Sequence, residues 1–501
     1  MTGPSRALTS IQLDRAAGVL VASAAGDALG AAYEFGPRCA AGDVEMGRGA
    51  LTGRAAGSWT DDTDLSVCVA QAAAAGLPLD ARAGLDAVAG DLLRWYGSGP
   101  PDVGNQTRGV LSAARAPADV PAAALDYQRA HPHAAGNGSL MRTGPVALAH
   151  LGDDEALATA ARAVSSLTHP HPLAGDACVL WCAAIDRAVR SGTLEGPRAG
   201  IPLLPPDRQA YWADVIDAAE RVPVDELRDN GFVVTALQAA WRSIVATATG
   251  AGNGAGNGAG NGAGNGPAHL ESALRAAVAI GGDTDTVAAI AGALLGARYG
   301  ASAVPFAWRY RLGGWPEGLG HGDLVRLGVL AARGGVPDGI GWPLAADLLP
   351  HYLDSWHPTG EIVELDGHPG VRWGDMAGLA RVDAGSFVSL CRIGRDQRRG
   401  PTHHEVWLMD GPDNADTAFS LADTADAVEA LARRHGSVFV HCVRAESRTP
   451  SVAVAWLVRH RGMGPDQAWA AVRAAMPAAR PHRALRVALE ELARLPVGRE
   501  S

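Results

Sequence analysis

The sequence has little cysteine and no long uninterrupted apolar run. Six cysteines in 501 residues, none in a C-x-x-C pair, exclude a disulfide scaffold and a short-spaced zinc site, so we expect reduced thiols in a cytoplasm. Residues 1–10 lack the apolar core of a signal peptide, and the apolar stretch 16–32 contains Asp27 and is too short and glycine-rich to span a bilayer. The sequence therefore predicts neither a signal peptide nor a membrane partner.

Aromatic residues and positive charge are also scarce. Aromatic side chains make up 5% of the chain, so alanine, valine and leucine must fill the core, a composition that favours closely packed helices. The 43 basic and 53 acidic residues give a net charge of −10, which argues against a surface that binds nucleic acid over the whole protein. The net charge does not exclude a small local pocket that binds an anion.

Apolar residues recur at helical spacing from Ile11 to about Leu349, separated by clusters of Gly, Pro and Asp, and no run there alternates with period two. We therefore predict an all-α domain over residues 1–350. Residues 251–266 repeat Ala-Gly-Asn-Gly four times, which cannot bury apolar area and predicts a flexible loop.

The composition changes after about Trp342, and we place the domain boundary near residue 355. Short β-like runs follow and alternate with helical segments, which predicts a smaller α/β domain over residues 356–501 with a mainly parallel sheet. The predicted strands are Glu361–Leu365, Ser386–Cys391, Val406–Met409 and Ser437–His441.

Two acidic clusters, more than 200 residues apart, each come just before an apolar helical run: Thr60-Asp61-Asp62-Thr63-Asp64 and Asp283-Thr284-Asp285-Thr286. Helix capping explains one carboxylate in such a place. Adjacent carboxylates repel each other, whereas hard divalent cations need several oxygen ligands. Metal binding and capping both stay open on this pattern alone, and Asp64 is read as a solvated carboxylate of the first turn.

Six ordered motifs make the resemblance to a family specific. Two are the acidic clusters, and the others are Gly26-Asp27-Ala28-Leu29-Gly30-Ala31-Ala32-Tyr33-Glu34-Phe35, Pro101-Asp102-Val103-Gly104-Asn105, Gly136-Asn137-Gly138-Ser139-Leu140-Met141-Arg142 and Thr168-His169-Pro170-His171. Residues 11 to 335 thereby resemble the ADP-ribosylglycohydrolase family. The resemblance implies an all-α fold and two magnesium or manganese ions.

The same resemblance implies roles for individual residues. Glu34 matches an acidic residue implicated in catalysis, and Asp102 matches one assigned a base or substrate-positioning role. Gly136, Asn137, Gly138 and Ser139 are expected to present backbone N–H groups to a diphosphate. His169 and His171 could line an adenosine-ribose pocket or be structural. The residues that match the family's metal ligands are Thr60, Asp61, Asp62, Asp283, Asp285 and Thr286.

The C-terminal region carries a second chemical motif. An apolar strand ends at His441, and Cys442 and Arg448 then form an H-C-x5-R-T sequence before a helix. In a strand–loop–helix turn, several backbone N–H groups can point at one bound anion. Arg448 can bind phosphate through two hydrogen bonds. Cys442, at a helix N-terminus near a guanidinium, is expected to be a thiolate. Phosphoryl transfer to that thiolate is the chemistry this pattern predicts.

Residues 361 to 495 resemble the dual-specificity and protein-tyrosine phosphatase family. The resemblance implies Cys442 as nucleophile, Arg448 as phosphate binder and Thr449 as a hydroxyl that assists departure of the thiolate. It also places a general acid roughly 30 residues before the cysteine. Asp413 is favoured there, with Asp410 and Asp416 as alternatives. Glu446, inside the loop, could repel a dianionic substrate.

Two hypotheses follow. The first is an enzyme that removes ADP-ribose from a modified protein by two-metal-assisted cleavage of an N- or O-glycosidic bond, with an attached cysteine phosphatase acting on a phosphorylated protein. The alternative is a module that binds ADP-ribose without cleaving it, attached to a protein phosphatase. The acceptor, the choice between magnesium and manganese, and the phosphatase substrate stay open.

Overall fold

The computed structural model describes residues 8–227, 229–248, 266–365, 367–400 and 402–492. The Cα positions divide the chain into two units. Unit 1 comprises Met1–Val304 and Trp308–Val336, and unit 2 comprises Pro305–Ala307 and Pro337–Ser501. The domain limits given above, 1–350 and 356–501, stay a prediction. Residues 251–265 of the predicted flexible loop lie outside the described residues, and a helix begins at Gly266.

The first part of the chain is helical, as predicted, apart from one two-residue hairpin, β1 (Gly313–Gly314) with β2 (Leu319–Gly320). The helices are α1 (Ser10–Gly30), α2 (Asp61–Ala74), α3 (Arg82–Gly97), α4 (Asn105–Ala113), α5 (Val120–Ala130), α6 (Gly144–Ala149), α7 (Asp154–Ser166), α8 (Pro172–Ser191), α9 (Pro206–Ala219), α10 (Val233–Thr247), α11 (Gly266–Ala279), α12 (Thr284–Tyr299), α13 (Phe306–Arg309) and α14 (His321–Ala332). Short 3-10 turns lie at Ala41–Asp43, Pro117–Asp119, Gly196–Leu203, Val224–Leu227 and Ala301–Ala303.

Helices α1 and α12 form the centre of unit 1, and both are buried on nearly every face. Glycines make their close approach possible. A Cβ atom on Gly296 would lie 1.9 Å from the carbonyl oxygen of Gly18, and one on Gly26 would lie 2.2 Å from that of Ala288. Since Cβ atoms do not approach backbone so closely, only glycine fits at these two positions. The packing brings the C-terminal end of α1 against the N-terminal end of α12, where Thr284 donates from Oγ1 to the carbonyl of Gly30 at 2.8 Å.

Unit 2 contains an α/β domain, as predicted. Its five strands run in the order β3-β4-β7-β5-β6, with β3 antiparallel to β4 and every other pair parallel. The strands are β3 (Ile362–Glu364), β4 (Val371–Asp375), β5 (Ser386–Ser389), β6 (His403–Glu405) and β7 (Val438–Cys442). The helices are α15 (Leu349–Trp356), α16 (Met376–Leu379), α17 (Thr417–His435), α18 (Arg448–Arg461), α19 (Pro465–Ala475) and α20 (Arg483–Leu492), with a 3-10 turn at Arg395–Gln397.

One predicted strand is wrong, and one observed strand was not predicted. The predicted strand Val406–Met409 is wrong, because the edge strand ends at Glu405 and the chain then turns away, with the Met409 N–H donating to Asn414 Oδ1 at 2.7 Å. The sequence pattern also missed β4, whose arginine, glycine and aspartate obscure it although it pairs with strands on both sides. Among the described helices, none is long and apolar enough to cross a lipid bilayer.

Candidate functional site

Asp27, near the end of α1, accepts hydrogen bonds from residues of the first acidic cluster. Its carboxylate is fully buried and accepts hydrogen bonds from the backbone N–H groups of Thr60 (2.9 Å) and Thr63 (3.0 Å) and from their hydroxyls (2.9 and 2.6 Å). Burial raises its pKa to about 6. These four bonds fix the entry to α2, so Asp27 joins two motifs that lie more than 30 residues apart. The sequence analysis quoted Asp27 only as part of a motif and gave it no role.

The two acidic clusters lie against each other. The Thr286 hydroxyl donates to Asp62 Oδ2 at 3.1 Å, and the Thr60 hydroxyl lies 3.2 Å from the same oxygen and 3.4 Å from Asp285 Oδ2. Asp62 and Asp285 occupy the first turns of α2 and α12. The structure therefore brings together residues separated by more than 220 positions in the chain, with the close α1–α12 packing as the cause.

These oxygens suit divalent cations. Carboxylate oxygens of Asp27, Asp62 and Asp285 all lie within 4.8 Å of one another, and so do those of Glu34, Asp283 and Asp285. Asp62 Oδ1 is buried and has no hydrogen-bond partner among the described residues. A donor set made only of oxygen atoms is the set that magnesium and manganese prefer. The residues present therefore fit the metal pair that the family resemblance implies.

Without cations, the buried carboxylates of the two acidic clusters repel one another. Burial, together with neighbouring carboxylates such as Asp102, Asp27 and Asp283, raises the pKa of Asp61 and Asp62 well above the usual range. Asp285 shifts in the same direction for the same reasons. Bringing a cation to this place would remove the repulsion, because it favours the charged form of each carboxyl.

Glu34 and Asp102 belong to the same acidic surroundings. Glu34 is 8% exposed, and burial, then the charges of Asp102 and Asp283, raise its pKa to about 8. Asp102 is half-buried, and burial followed by the charge of Asp283 raises its pKa. A carboxylate oxygen of Glu34 also lies within 4.8 Å of oxygens of Asp283 and Asp285. Both candidate proton acceptors therefore belong to the electrostatic surroundings of the candidate metal-binding carboxylates.

Asn137 connects the glycine-rich turn at 136–139 to the second acidic cluster. Its Nδ2 donates to Asp283 Oδ2 at 2.7 Å and to the carbonyl of Asn230 at 2.9 Å. Asn230 is buried and accepts from the Asp283 N–H at 2.9 Å through its own side chain. Asn230 thus holds Asp283 from the other side, a role that the sequence analysis missed. An asparagine in Asp229-Asn230-Gly231 just before α10 resembles an ordinary turn, so little in the sequence pointed to it.

His169 lies buried beneath the same turn. A Cβ atom on Gly138 would lie 3.1 Å from His169 Nε2, and one on Gly136 would lie 3.4 Å from it. The turn therefore packs directly against the imidazole ring. Arg142 donates to Thr168 Oγ1 at 2.7 Å, and that oxygen lies 2.7 Å from His169 Nδ1. Thr168 thus links the Arg142 guanidinium to one ring nitrogen of His169, and the other ring nitrogen, Nε2, faces the turn.

Two further side chains tie the turn to this histidine. Gln106 donates to the carbonyl of Thr168 at 3.1 Å and accepts from the Gly136 N–H at 3.4 Å. Ser165 Oγ lies 2.9 Å from Ser139 Oγ and 3.2 Å from the His169 carbonyl. His171 instead caps α8, where its ring accepts from the Leu173 N–H. The predicted substrate-binding residues 136–139 and 169 therefore form one connected unit, and His171 has a structural role.

The interpretation of Asp64 as a solvated carboxylate is wrong. Asp64 is 1% exposed and accepts from the indole N–H groups of Trp59 (2.8 Å) and Trp95 (2.9 Å) and from the backbone N–H of Trp315 (3.2 Å). Burial raises its pKa to about 7. A buried carboxylate with three N–H donors holds the Trp315 segment against the start of α2, which a sequence pattern could not show.

In unit 2, β7 delivers Cys442 to the start of a turn that leads into α18. Residues 442–448 are called the phosphate loop below. The Val443 carbonyl accepts from the Met376 N–H at 3.3 Å, and the Glu446 carbonyl accepts from the Arg480 N–H at 2.6 Å. Because the C=O and N–H of a trans peptide point in opposite directions, these anchors turn the N–H groups of Arg444 and Ser447 the other way. Such an arrangement can cradle an anion.

The remaining loop residues have the following places. The Arg448 guanidinium donates from Nη1 to the backbone carbonyls of Leu390 and Leu408, and its Nε is buried without a described partner. Thr449 is buried, and its hydroxyl donates to the Gly374 carbonyl at 3.3 Å. Glu446 pairs with Arg444 at 2.6 Å, which offsets the repulsion expected of a carboxylate in this loop.

The three candidates for general acid occupy different places. Asp410 accepts from the Ser447 hydroxyl, so it touches the phosphate loop. Asp416 caps α17, where its carboxylate accepts from the Phe419 N–H at 2.8 Å. Asp413, the favoured residue in the sequence analysis, is exposed. The structure brings one of the three to the loop, and it is Asp410.

Comparison with known proteins gives matches over both regions. The ADP-ribosylglycohydrolase family model matches residues 8–334, and the model of the dual specificity phosphatase catalytic domain matches residues 393–494. ADP-ribosylarginine hydrolase Tri1 of Pseudomonas putida is 30% identical over 309 residues, which cover 59% of this chain and 73% of that protein.

Two further relatives extend the comparison. ADP-ribosyl-[dinitrogen reductase] glycohydrolase of Rhodospirillum rubrum is 27% identical over 329 residues, covering 62% of this chain and 92% of that protein. Dual specificity phosphatase 28 of Mus musculus is 33% identical over 111 residues, covering 21% of this chain and 68% of that protein. The chain therefore belongs to the ADP-ribosylglycohydrolase family and carries, after that region, a dual specificity phosphatase domain.

Proposed function

We propose that the helical domain hydrolyses the bond between ADP-ribose and a modified protein side chain with the help of two divalent cations. The observation that carries the proposal is the meeting of the two acidic clusters, in which oxygens of Asp62, Asp285 and Asp27 lie within 4.8 Å. Asp27 already accepts four hydrogen bonds, so it positions the cluster. The proposed metal ligands are Thr60, Asp61, Asp62, Asp283, Asp285 and Thr286.

Bound magnesium or manganese would polarise the ribose and increase the acidity of a water molecule. The protein's own groups then handle the proton and the sugar. Glu34 or Asp102 takes a proton from the water, whose oxygen bonds to the anomeric carbon as the bond from that carbon to the acceptor breaks. The bonding electrons leave with the acceptor atom, which takes up a proton. Surrounding carboxylates stabilise the positive charge that develops on the sugar.

The glycine-rich turn would bind the diphosphate of ADP-ribose. Gly136 and Gly138 have no side chain to obstruct an approach, and the His169 ring packs against the turn with Nε2 facing it. Asn137 couples that turn to Asp283, so substrate and metal positions are held relative to each other through a single side chain. This coupling explains why a small polar residue stands between the two glycines.

We propose arginine as the first acceptor to test. The relative from Pseudomonas putida is named an ADP-ribosylarginine hydrolase. An acidic rim that includes Glu34 and Asp102 would attract a guanidinium group, since both carboxyls face the site. Serine-linked ADP-ribose, which lacks that positive charge, is the comparison substrate.

The test is a panel of ADP-ribosylated peptides incubated with magnesium, with manganese or with a chelator, with ADP-ribose release followed by mass spectrometry. We expect release that depends on cation and is lost in Asp283→Ala. Asp207→Ala is the matched control, because Asp207 is an exposed aspartate in the first turn of α9. Binding of ADP-ribose without release from any peptide would instead support the non-cleaving module.

We also propose that the C-terminal domain is a Cys442-dependent phosphatase. The Cys442 sulfur bonds to phosphorus as the ester P–O bond breaks, and water later releases phosphate from the sulfur. Arg448 and the N–H groups of the phosphate loop bind the phosphoryl oxygens, and Thr449 assists departure of the thiolate. Asp410 donates the proton to the leaving oxygen, since it contacts Ser447 of the loop. The six cysteines are all free thiols, which suits a reducing cytoplasm.

The general acid is tested with two matched variants on an aryl phosphate. Asp410→Asn should lower kcat about 100-fold, the usual size of a lost general acid, whereas exposed Asp413→Asn should change it little. Cys442→Ser should abolish turnover. A loss confined to Asp413→Asn would assign the general acid to Asp413, and equal losses in the two variants would contradict Asp410 as the sole acid.

A further inference from the structure

A chain of hydrogen bonds beneath the nucleophile crosses three strands of the sheet. It starts at the Arg399 N–H, which lies 2.9 Å from His403 Nδ1, and continues from His403 Nε2 to Ser389 Oγ at 2.7 Å. Ser389 Oγ lies 2.6 Å from His441 Nε2, and His441 Nδ1 lies 3.4 Å from the Cys442 carbonyl. Ser389 and His441 are completely buried, and His403 nearly so.

The chain has only one consistent direction. A backbone N–H can only donate, so His403 Nδ1 accepts and the proton of that ring is on Nε2. Ser389 therefore accepts from His403 and gives its single hydroxyl proton to His441 Nε2. The His441 proton is then on Nδ1 and is donated to the Cys442 carbonyl, which can only accept. Every link is satisfied with both imidazoles neutral.

The surroundings keep both rings neutral. Burial lowers the pKa of His441 to about 4, with Arg448 on α18 acting in the same direction and Asp375 on β4 against it. Burial lowers the pKa of His403 to about 2, and Arg398 and Arg399 act in the same direction, as would His404 or His441 in its charged form. A neutral ring at both places keeps the donor order fixed over the range in which a phosphatase would work.

The last link sets the position of one peptide group of the phosphate loop. The Cys442 carbonyl belongs to the same peptide as the Val443 N–H, and in a trans peptide the two point in opposite directions. Holding the carbonyl down on His441 therefore directs the Val443 N–H to the opposite side. This is the first N–H after the nucleophile; the next peptide is held through the Val443 carbonyl by the Met376 N–H, and a later one through the Glu446 carbonyl by the Arg480 N–H.

We propose that Ser389 and His403 are positioning residues for the phosphatase, which act through His441 to hold the Cys442–Val443 peptide so that its N–H faces the bound phosphoryl group. This inference rests on the proposed phosphatase function of the C-terminal domain. Neither residue lies in the H-C-x5-R motif. Ser389 belongs to β5 and His403 to β6, and both strands lie on the same side of β7 in the sheet. Their effect is on the geometry of the anion cradle and not on the folding of the sheet.

The experiment measures alkylation of Cys442 by iodoacetamide in the full chain, followed by mass spectrometry of the Cys442 peptide, with inorganic phosphate as the protecting anion. Ser389→Ala removes the central hydroxyl. Ser386→Ala is the matched control, because Ser386 is an equally buried serine of β5 whose hydroxyl donates to the Ser437 carbonyl at 3.0 Å. Ser389→Thr keeps a hydroxyl and should restore the chain.

We expect phosphate to protect Ser389→Ala about 10-fold less well than the unchanged protein, the size of one lost hydrogen bond to a charged group. Ser386→Ala and Ser389→Thr should be protected normally. The pH profile of alkylation should show a single transition in the unchanged protein and gain a second one in Ser389→Ala, because His441 Nε2 is then free to take a proton. His403→Phe, which leaves Ser389 in place, should give a smaller loss in the same direction and serves if Ser389→Ala does not fold.

Two outcomes separate this inference from the function on which it rests. No protection of the unchanged protein by phosphate contradicts the phosphatase proposal itself. Normal protection of the unchanged protein with an equal effect in Ser389→Ala and Ser386→Ala contradicts the positioning role. The same holds if His403→Phe is protected normally and its pH profile matches that of the unchanged protein.

Discussion

Removing divalent cations should make the helical domain less stable as the pH rises from 5 to 8. The cause is the raised pKa of its buried carboxyls, Asp27 to about 6 and Glu34 to about 8. The folded protein retains protons there that the unfolded chain releases. This contribution is fully present below the ordinary carboxyl pKa values of 3.8 and 4.5 and is lost as the pH rises through 6 and 8.

The two shifts set the magnitude. Between pH 5 and 8, the pKa shift of Asp27 acts over about 1 pH unit and that of Glu34 over about 3, which at about 1.4 kcal/mol per unit lowers the unfolding free energy by about 6 kcal/mol. Cations reverse the trend, because each ion that binds only the folded protein adds about 2.7 kcal/mol at a concentration 100 times its Kd.

The assay is urea unfolding followed by tryptophan fluorescence at pH 5, 6, 7 and 8, with chelator or with magnesium or manganese. Asp62→Asn should flatten the pH dependence and weaken the response to cation. Asp186→Asn is the control, since Asp186 is an equally buried aspartate that pairs with Arg187 and Arg190 away from the acidic cluster. It should lower stability at every pH and leave the cation response intact. Cation-free stability that is constant or rises from pH 5 to 8 would refute the reasoning.

Three further changes test the packing around the two sites. Gly296→Ala places a Cβ atom 1.9 Å from the Gly18 carbonyl oxygen and should lower the free energy of unfolding in urea by about 3 kcal/mol. Gly97→Ala is the control and should not lower it, because the space around Gly97 is open. Equal effects of the two changes would contradict the close packing of α1 and α12. Ala445→Gly should stabilise unit 2 by about 1 kcal/mol in thermal unfolding, because Ala445 has φ 55°, and a lower Tm would contradict this. Asp64→Asn should cost about 3 kcal/mol, since an amide N–H would face indole donors, and an unchanged denaturation midpoint would exclude the buried role.

Local signals in the sequence determined the elements and the chemistry they carry. Helical spacing predicted the all-α first domain, and strand–loop–helix order placed Cys442 where a strand leads into a helix, at the end of β7. Such patterns depend on residues close together in the chain, so they survive without knowledge of the fold. The edge strand β6 is short and gives a weak signal, so it was misplaced, and β4 was missed because its arginine, glycine and aspartate are unusual in a strand.

Only the tertiary structure decided which polar groups meet. The hydrogen bonds of Asp64 to Trp95 and Trp315, of Asn230 to Asp283 and of Asp410 to Ser447 all join residues that are distant in the chain. Each side chain looks like an ordinary turn or cap residue in the sequence, because its partner is supplied by a different element. Burial and partner choice come from helix and sheet packing, so no local pattern could contain them.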